Sequence, residues 1–421
     1  MQLKKQKGIS RLLATATCTL LGTVSQQVSA EDWEVDSAIL FYSEPDRVTA
    51  IEPVITLKKK FSEESTLNLG LTLDSLTGAS ANGATASNQT QTFTRPSGKG
   101  SFTTKAGETP LDDTFKDTRV AVSANWEKQF NRLTSYNIGA AFSKEFDYTS
   151  ISVNGLISRD FNQRNTTLQA GLSFASDQID PEGGAPIAFA SMAAPGQPQP
   201  KQSGTKDKDT IDLLLGITQV LGHDTIGQLN YTLSDSSGYQ TDPYKLLSVV
   251  DSVSGSTLDY VYENRPEDRL KHSIYANIKH HLSNNDIVQA SYRFYTDDWG
   301  IDSHTIDAKY RFDLGNERYL QPHLRFYDQS AADFYRHSLV NTNPLPQDAT
   351  ADYRLGDFTA ITAGLKYGFK LKNAGEVSLR GEYYLQSGDS NPGDAIGIQK
   401  DQDLYPDVDA YLFQINYSFK W

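Results

Sequence analysis

Between Lys271 and Arg380, cations recur at alternate positions. Arg293 stands between Tyr292 and Phe294, Lys309 and Arg311 flank Tyr310, Arg325 lies between Leu324 and Phe326, and Lys366 between Leu365 and Tyr367. Lys271 and Arg380 fall on the same alternation, as do Tyr275, Lys279, Tyr295, His323, Tyr327, Lys370 and Tyr384. In an extended strand successive side chains point to opposite faces. One face therefore collects charge and the other collects apolar bulk. Asp307 and Glu382 are the clearest acids on the charged face. A row of fixed cations across neighbouring strands sets ion selectivity in a pore wall. The same row also suits an internal ion-pair lattice, neutralised by Asp307, Glu382 and an inserted loop, and both readings stay open.

Other residue types carry weaker chemistry. Asp112, Asp113, Asp117, Asp297, Asp298 and Asp302 are hard oxygen ligands of the kind a divalent cation takes, and are weak candidates for such a site. His280 and His281 are adjacent, so a strand sends them to opposite faces and they cannot share a metal. Asp297 and Asp298 with His304 make a loose carboxylate/His set for water activation. No phosphate loop, dinucleotide glycine turn or HExxH is present. Cys18 is the single cysteine. No catalytic residue, resident metal or cofactor is expected.

The elements that must hold these residues show most clearly at the end of the chain. YLFQINYSFKW, Tyr411–Trp421, puts a bulky apolar or aromatic residue at every odd position. The same period of two runs through STLNLGLTLD, TRVAVSANWEKQF, SHTIDAKYRFDL, TAITAGLKYGFKL and EVSLRGEYYLQ. Short polar connections after Phe61, Phe130, Phe161, Leu221, Leu282, Leu314 and Leu371 carry the Asn, Asp, Gly and Ser of tight turns. They alternate with longer connections, the longest near 75–116 and 177–206. Sixteen strands follow, at about 34–43, 47–61, 65–74, 117–130, 135–146, 149–161, 165–176, 208–221, 224–235, 267–282, 285–296, 302–314, 318–328, 357–371, 375–387 and 407–421. Short turns on one side and long loops on the other predict an all-β transmembrane antiparallel barrel with periplasmic turns, extracellular loops and periplasmic termini. Pro322 conflicts with its strand and predicts a bulge or break. The apolar segment 185–200 is expected to fold into the lumen as a constriction or to touch another protomer.

The first thirty residues differ from the rest. Lys4, Lys5, Lys7 and Arg11 precede a short apolar core and a Val28-Ser29-Ala30 end, the layout of a cleaved secretory signal peptide. Residues 31–421 form the barrel. The leader holds four of the 39 basic residues and none of the 52 acidic ones, so the remainder carries a net −17. A basic footprint for nucleic acid is missing. The acidity lies in the wall and the outer loops, which are expected to be solvated.

Two stretches go beyond periodicity. Ser43-Glu44-Pro45-Asp46-Arg47-Val48 and Asp74-Ser75-Leu76-Thr77-Gly78-Ala79-Ser80 resemble linked motifs of an uncharacterised family of bacterial outer-membrane proteins, domain of unknown function 3570. Ala81 stands where the family pattern has proline. The resemblance runs the full length and implies an outer-membrane barrel, with a redox or flavin context and no settled activity. It places Glu44, Asp46, Arg47, Asp74, Thr77 and Ser80 at the outer loops, where Asp74 is expected to cap a turn over Ser75–Gly78. The end of the chain, with Tyr417, Phe419 and Trp421, resembles the signal read by barrel-assembly machinery.

The expected role is a channel or transporter for small polar, anion-leaning solutes. The alternative is a non-conducting scaffold or partner-binding barrel tied to a redox or flavin system, and the third reading is an outer-membrane hydrolase. Expected partners are outer-membrane lipid, lipopolysaccharide and the assembly machinery. The oligomeric state is open.

Overall fold

The computed structural model describes residues 33–45, 47–372, 375–405 and 407–420. Sixteen antiparallel strands close into one barrel in chain order. They are β1 (Trp33–Ser43), β2 (Val48–Ser62), β3 (Ser65–Ala81), β4 (Leu111–Asn131), β5 (Thr134–Lys144), β6 (Tyr148–Phe161), β7 (Thr166–Ile179), β8 (Lys206–Val220), β9 (Thr225–Gly238), β10 (Asp268–His281), β11 (Ile287–Asp297), β12 (Asp302–Asp313), β13 (Arg318–Gln329), β14 (Phe358–Lys370), β15 (Glu376–Gly388) and β16 (Val408–Lys420). β16 closes on β1, with Ser37 opposite Tyr417 and Phe41 opposite Phe413. Closure pairs every strand edge, which a chain surrounded by lipid requires.

The period of two becomes two faces. Phe413, Ile415, Ile306, Leu324 and Ile361 stand exposed on the outside, and their charged or small neighbours point into the lumen. Bulky apolar groups exposed all round a closed wall fit hydrocarbon, not water. The seven short connections all lie at one end.

Proline marks the interruptions of the ladder. The β12–β13 pairing runs to Lys309–His323 and resumes at Phe312–Leu320, skipping Pro322. The β2–β3 pairing skips Glu52 and Pro53 in the same way. Proline has no N–H to donate, so the ladder breaks there on one side only.

Two expectations fail at the long-loop end, the expected outer one. β3 and β4 run well past their expected ends, pairing out to Ala81–Leu111. The connection expected at 75–116 is therefore only 82–110, and it holds a hairpin of Gln91–Thr94 on Ser101–Thr104. Asp74, Thr77 and Ser80 lie in β3, not in a loop. Asp74 caps no turn, because its carboxylate takes Nη2 and Nε of Arg119 on β4 at 2.6 and 3.0 Å. An arginine directly across the ladder is a stronger donor than a turn amide.

The outer loops are not simply solvated. They fold together into a cap with its own core. Thr257–Tyr262, Leu246–Val250 and Ser338–Val340 form a three-stranded sheet. Leu247 packs with Val261, Leu339, Ala349 and Ala351 on one face. Leu246 packs with Phe93, Ala84 and Tyr262 on the other. Burying a side chain such as Leu247 contributes roughly 1.5–3 kcal/mol. The apolar segment 185–200 belongs to this cap and is no lumen plug. Phe189 N–H donates to Tyr262 O at 3.1 Å, Met192 N–H donates to Tyr260 O at 2.8 Å, and Phe189 and Met192 pack on the two cores. Its apolar side chains have a drier place in the cap than in a polar lumen.

Candidate functional site

The site begins with the lumen wall of β10–β15. Lys271 stands opposite Asp297, and Tyr275 opposite Arg293. Asp307 and Lys309 of β12 stand opposite Arg325 and His323 of β13. Lys366 of β14 stands opposite Arg380 of β15. The parity read from sequence thus sets these side chains on the face opposite Ile306, Leu324 and Ile361.

At mid-wall the charges form a chain. Asp307 Oδ1 lies 3.1 Å from Lys309 Nζ, and its Oδ2 lies 2.6 Å from His323 Nε2. His323 Nδ1 lies 2.9 Å from Glu382 Oε1, which lies 3.7 Å from Arg380 Nη1. Glu382 sits two strands away from His323, and the residue between them is Gly364. A Cβ on Gly364 would meet Glu382 Cγ at 2.4 Å, so the missing side chain is the channel through which the carboxylate reaches the imidazole. Both ring nitrogens of His323 thus have a carboxyl partner, so one imidazole ties β12 to β15.

Other cations make no ion pair. Arg311 stacks on the Tyr319 ring at 3.6 Å, and Lys366 lies 5.8 Å from the same ring. Among the described residues no carboxylate reaches ion-pair distance of Arg293, Arg311, Arg325 or Lys366. The opposite wall, over the middle of β4–β9, is apart from Asp212 uncharged: Ser123, Asn125, Gly139, Ser152, Asn154, Ser173, Gly216 and Asn230 are short, and Leu156, Gln169 and Leu214 stand among them. The lumen is therefore lopsided, with long cations facing mostly neutral groups.

Above the wall, tyrosines seat the cap. Tyr405 and Tyr353 of the cap pack with Phe358, Tyr327 and Tyr384 at the outer ends of β13–β15. Tyr405 O–H donates to Tyr353 O at 3.1 Å. The Arg47 guanidinium lies 5.5 Å from the centre of the Tyr353 ring. Glu44 accepts from Tyr42 O–H at 2.7 Å and lies 3.7 Å from Arg47. Ala79 N–H donates to Arg47 O at 2.7 Å, and that oxygen would sit 2.0 Å from a Cβ on Gly78, whose φ of +144° suits glycine. The two sequence motifs therefore meet main chain to main chain beneath the cap. Asp46 and Trp421 lie outside the described residues, as does the leader. Tyr417 and Phe419 stack 4.9 Å apart near the end of β16.

Sequence reasoning missed the charged heart of the cap. Arg265 bridges Glu263 at 2.6 Å and Asp352 at 2.9 Å. Arg354 joins Asp352 at 2.5 Å and Asp242 at 2.9 Å. Burial pushes the Glu263 carboxyl up to about 7. Burial also opposes the Asp352 charge, but Arg354, Lys245 and Arg265 outweigh it and hold that carboxyl far below the usual range. No periodic signal marks these residues; only charges set among apolar loop residues, as in LDYVYENR, hinted at them.

The cation candidates find other partners. Asp297 Oδ2 takes Arg269 at 2.5 Å and Tyr295 at 2.7 Å, and its Oδ1 takes the Trp299 and Ile301 amides. Asp298 accepts from Leu270 N–H at 3.0 Å. Asp297 is thus the anchor of a tight turn. Asp302 N–H donates to Ser330 Oγ at the outer rim. Asp112 lines the cavity under the cap, while the Asp113 side chain lies outside the described residues. Asp117 adjoins Glu145, whose carboxyl is pushed up to about 7 by burial and by Asp117. Among the described residues no three His, Cys, Asp or Glu converge as a metal set.

With this geometry in view, relatives can be considered. Residues 10–419 match the family described as "Protein of unknown function (DUF3570)". The chain belongs to that family. No curated protein matches it. Among solved structures it is similar to a ferric enterobactin receptor from Pseudomonas aeruginosa, at 9% identity and TM-score 0.44, covering 86% of this chain and 54% of that one. The chain thus spans about half the length of that receptor. A bacterial polysaccharide outer membrane secretin matches at 7% identity and TM-score 0.45, covering 94% and 100%. The monoaromatic hydrocarbon channel CymD matches at 10% identity and TM-score 0.41, covering 96% and 93%. At such distances these likenesses carry no functional argument. The family member is an outer-membrane-type barrel.

Proposed function

We propose that this barrel sits in the outer membrane and passes small polar solutes through its lumen, with a preference for anions. The observation that carries the reading is the lopsided wall, where Arg293, Arg311, Arg325 and Lys366 make no ion pair among the described residues and face a mostly neutral surface. Fixed charges in a narrow aqueous path bias which ion enters. The cap over the outer mouth makes passage conditional on its movement. We assign no catalytic step to the wall.

Single-channel recording on the full-length protein tests this. Anion-selective reversal potentials are expected, moving toward cations in an Arg293→Glu, Arg325→Glu double variant. Absence of conductance at several salt concentrations would sink the pore reading. The interlocked core of the cap favours the second reading, a closed barrel that presents a folded outer surface to a partner, and persistent silence in the recordings supports it.

A further inference from the structure

The even-numbered strands finish at the short-turn end in one pattern. Each has a bulky apolar residue and, two positions before it, a side chain with a polar tip. Alternation sets both on the outside of the wall. On β12, β14 and β16 the pairs are Tyr310 with Phe312, Tyr367 with Phe369 and Tyr417 with Phe419, their rings 4.4, 5.7 and 4.9 Å apart. On β8 and β10 the polar member is Gln219 and His280. On β2, β4 and β6 it is a cation: Lys59, Lys128 and Arg159.

Lys59 lies opposite Trp33 and Leu67, Lys128 opposite Ser65 and Tyr136, and Arg159 opposite the exposed Leu168. Every one of these cations rests on an aromatic ring. Lys59 Nζ is 5.0 Å from the Trp33 ring and 5.4 Å from Phe61, Lys128 Nζ is 5.8 Å from Trp126, and Arg159 Cζ is 5.4 Å from Phe161. Among the described residues none of the three has a carboxylate at ion-pair distance; Glu34 pairs with Lys58 and Asp160 with Arg164 instead. They occupy alternate strands, so neighbours stand about 10 Å apart, two strand spacings. Tyrosine alone can seat a strand end at a membrane boundary, so the charge on β2–β6 answers to something further. At such a boundary the stem of a long cation stays in hydrocarbon and its head reaches the lipid phosphates. At the long-loop end the same face is mixed, with Asp235, Asp302 and Asp328 as well as Lys144.

We propose that the β2–β6 sector holds anionic phospholipid at the short-turn end, a phosphate on each of Lys59, Lys128 and Arg159 and the acyl chains along the apolar face of the same strands. The proposal rests on the membrane placement argued above and not on conduction. Native mass spectrometry of the detergent-solubilised full-length barrel counts retained lipid, with dioleoyl-phosphatidylglycerol, dioleoyl-phosphatidylcholine and lipid A as probes. Phosphatidylglycerol is expected to be retained at least about five-fold over phosphatidylcholine, the weight of one basic residue at an anionic lipid surface. The triple variant Lys59→Gln, Lys128→Gln, Arg159→Gln is expected to erase that preference, and Lys59→Arg, Lys128→Arg, Arg159→Lys to keep it. Lys99→Gln, Lys105→Gln, Lys400→Gln removes the same charge from exposed loop positions and is expected to keep it too. Heat-modifiable gel mobility shows each variant folded. Equal retention of the two phospholipids, stronger retention of lipid A, a preference that survives in the first triple variant, or its loss in the loop variant would each overturn the assignment and leave the membrane placement standing. A barrel that takes up no lipid of any kind overturns both.

Discussion

At the scale of single residues, the sequence pattern predicted direction better than contact. Period two was enough to put Asp307, His323 and Glu382 on one face. It did not reveal that the imidazole would sit between both carboxylates, because that depends on register across β12–β15 and on the gap at Gly364. Gly364→Ala places a Cβ 2.4 Å from Glu382 Cγ, so the carboxylate must leave His323. A loss of about 1–3 kcal/mol is expected, read as an earlier urea midpoint for loss of folded gel mobility. Glu145 gives a signed pH effect. Its carboxyl is raised in the folded state, so its favourable contribution is full below the unfolded value and disappears as pH rises through about 7. Glu145→Gln is expected to leave stability at pH 4 nearly unchanged and to raise it at pH 8. A variant equally affected at both values contradicts the assignment.

Among the elements, the staves and the cap were legible to different degrees. All sixteen strands fell near their expected spans, because each needs about ten alternating residues and a turn. The ends of β3 and β4 were missed, since the apolar/polar alternation that marks the rest of these strands stops before them. The cap was missed for another reason. Its core gathers Phe93, Leu247, Phe189, Leu339 and Ala349 from separate connections, and no local period can announce a core assembled that way. Asp352 is its electrostatic anchor. Asp352→Asn deprives Arg265 and Arg354 of a shared partner, and an opening cost on the order of 3 kcal/mol is expected to vanish. Trypsin should then cut the outer loops while the barrel keeps its folded mobility. Because the Asp352 carboxyl is depressed, its contribution is present above about pH 4, where the unfolded group ionises, and is lost as pH falls through the lower folded value. Hydrogen exchange in the cap should therefore accelerate only in strong acid.

For the whole molecule the decisive feature is closure. Ala38 of β1 stands opposite Asn416 of β16. The single cysteine, Cys18, precedes β1 in the sequence, so a pair of introduced thiols has no rival within the sixteen strands. Ala38→Cys with Asn416→Cys is expected to form a disulfide on oxidation, since facing residues on paired strands sit about 4.5–5.5 Å apart. The product should run as a compact circle on a denaturing gel until reduced. A linear band in fully oxidised protein argues against the seam.

That seam also sets an order of events. Ser37 donates to Tyr417 O across 380 residues of chain, so the first stave has no neighbour on one side until the last one exists. Until then two bare edges remain, each a template for the wrong partner. Such distant pairing makes folding slow. The molecule must be held unfinished and unaggregated through nearly its whole length, and its survival before it becomes a barrel depends on whatever shields those edges.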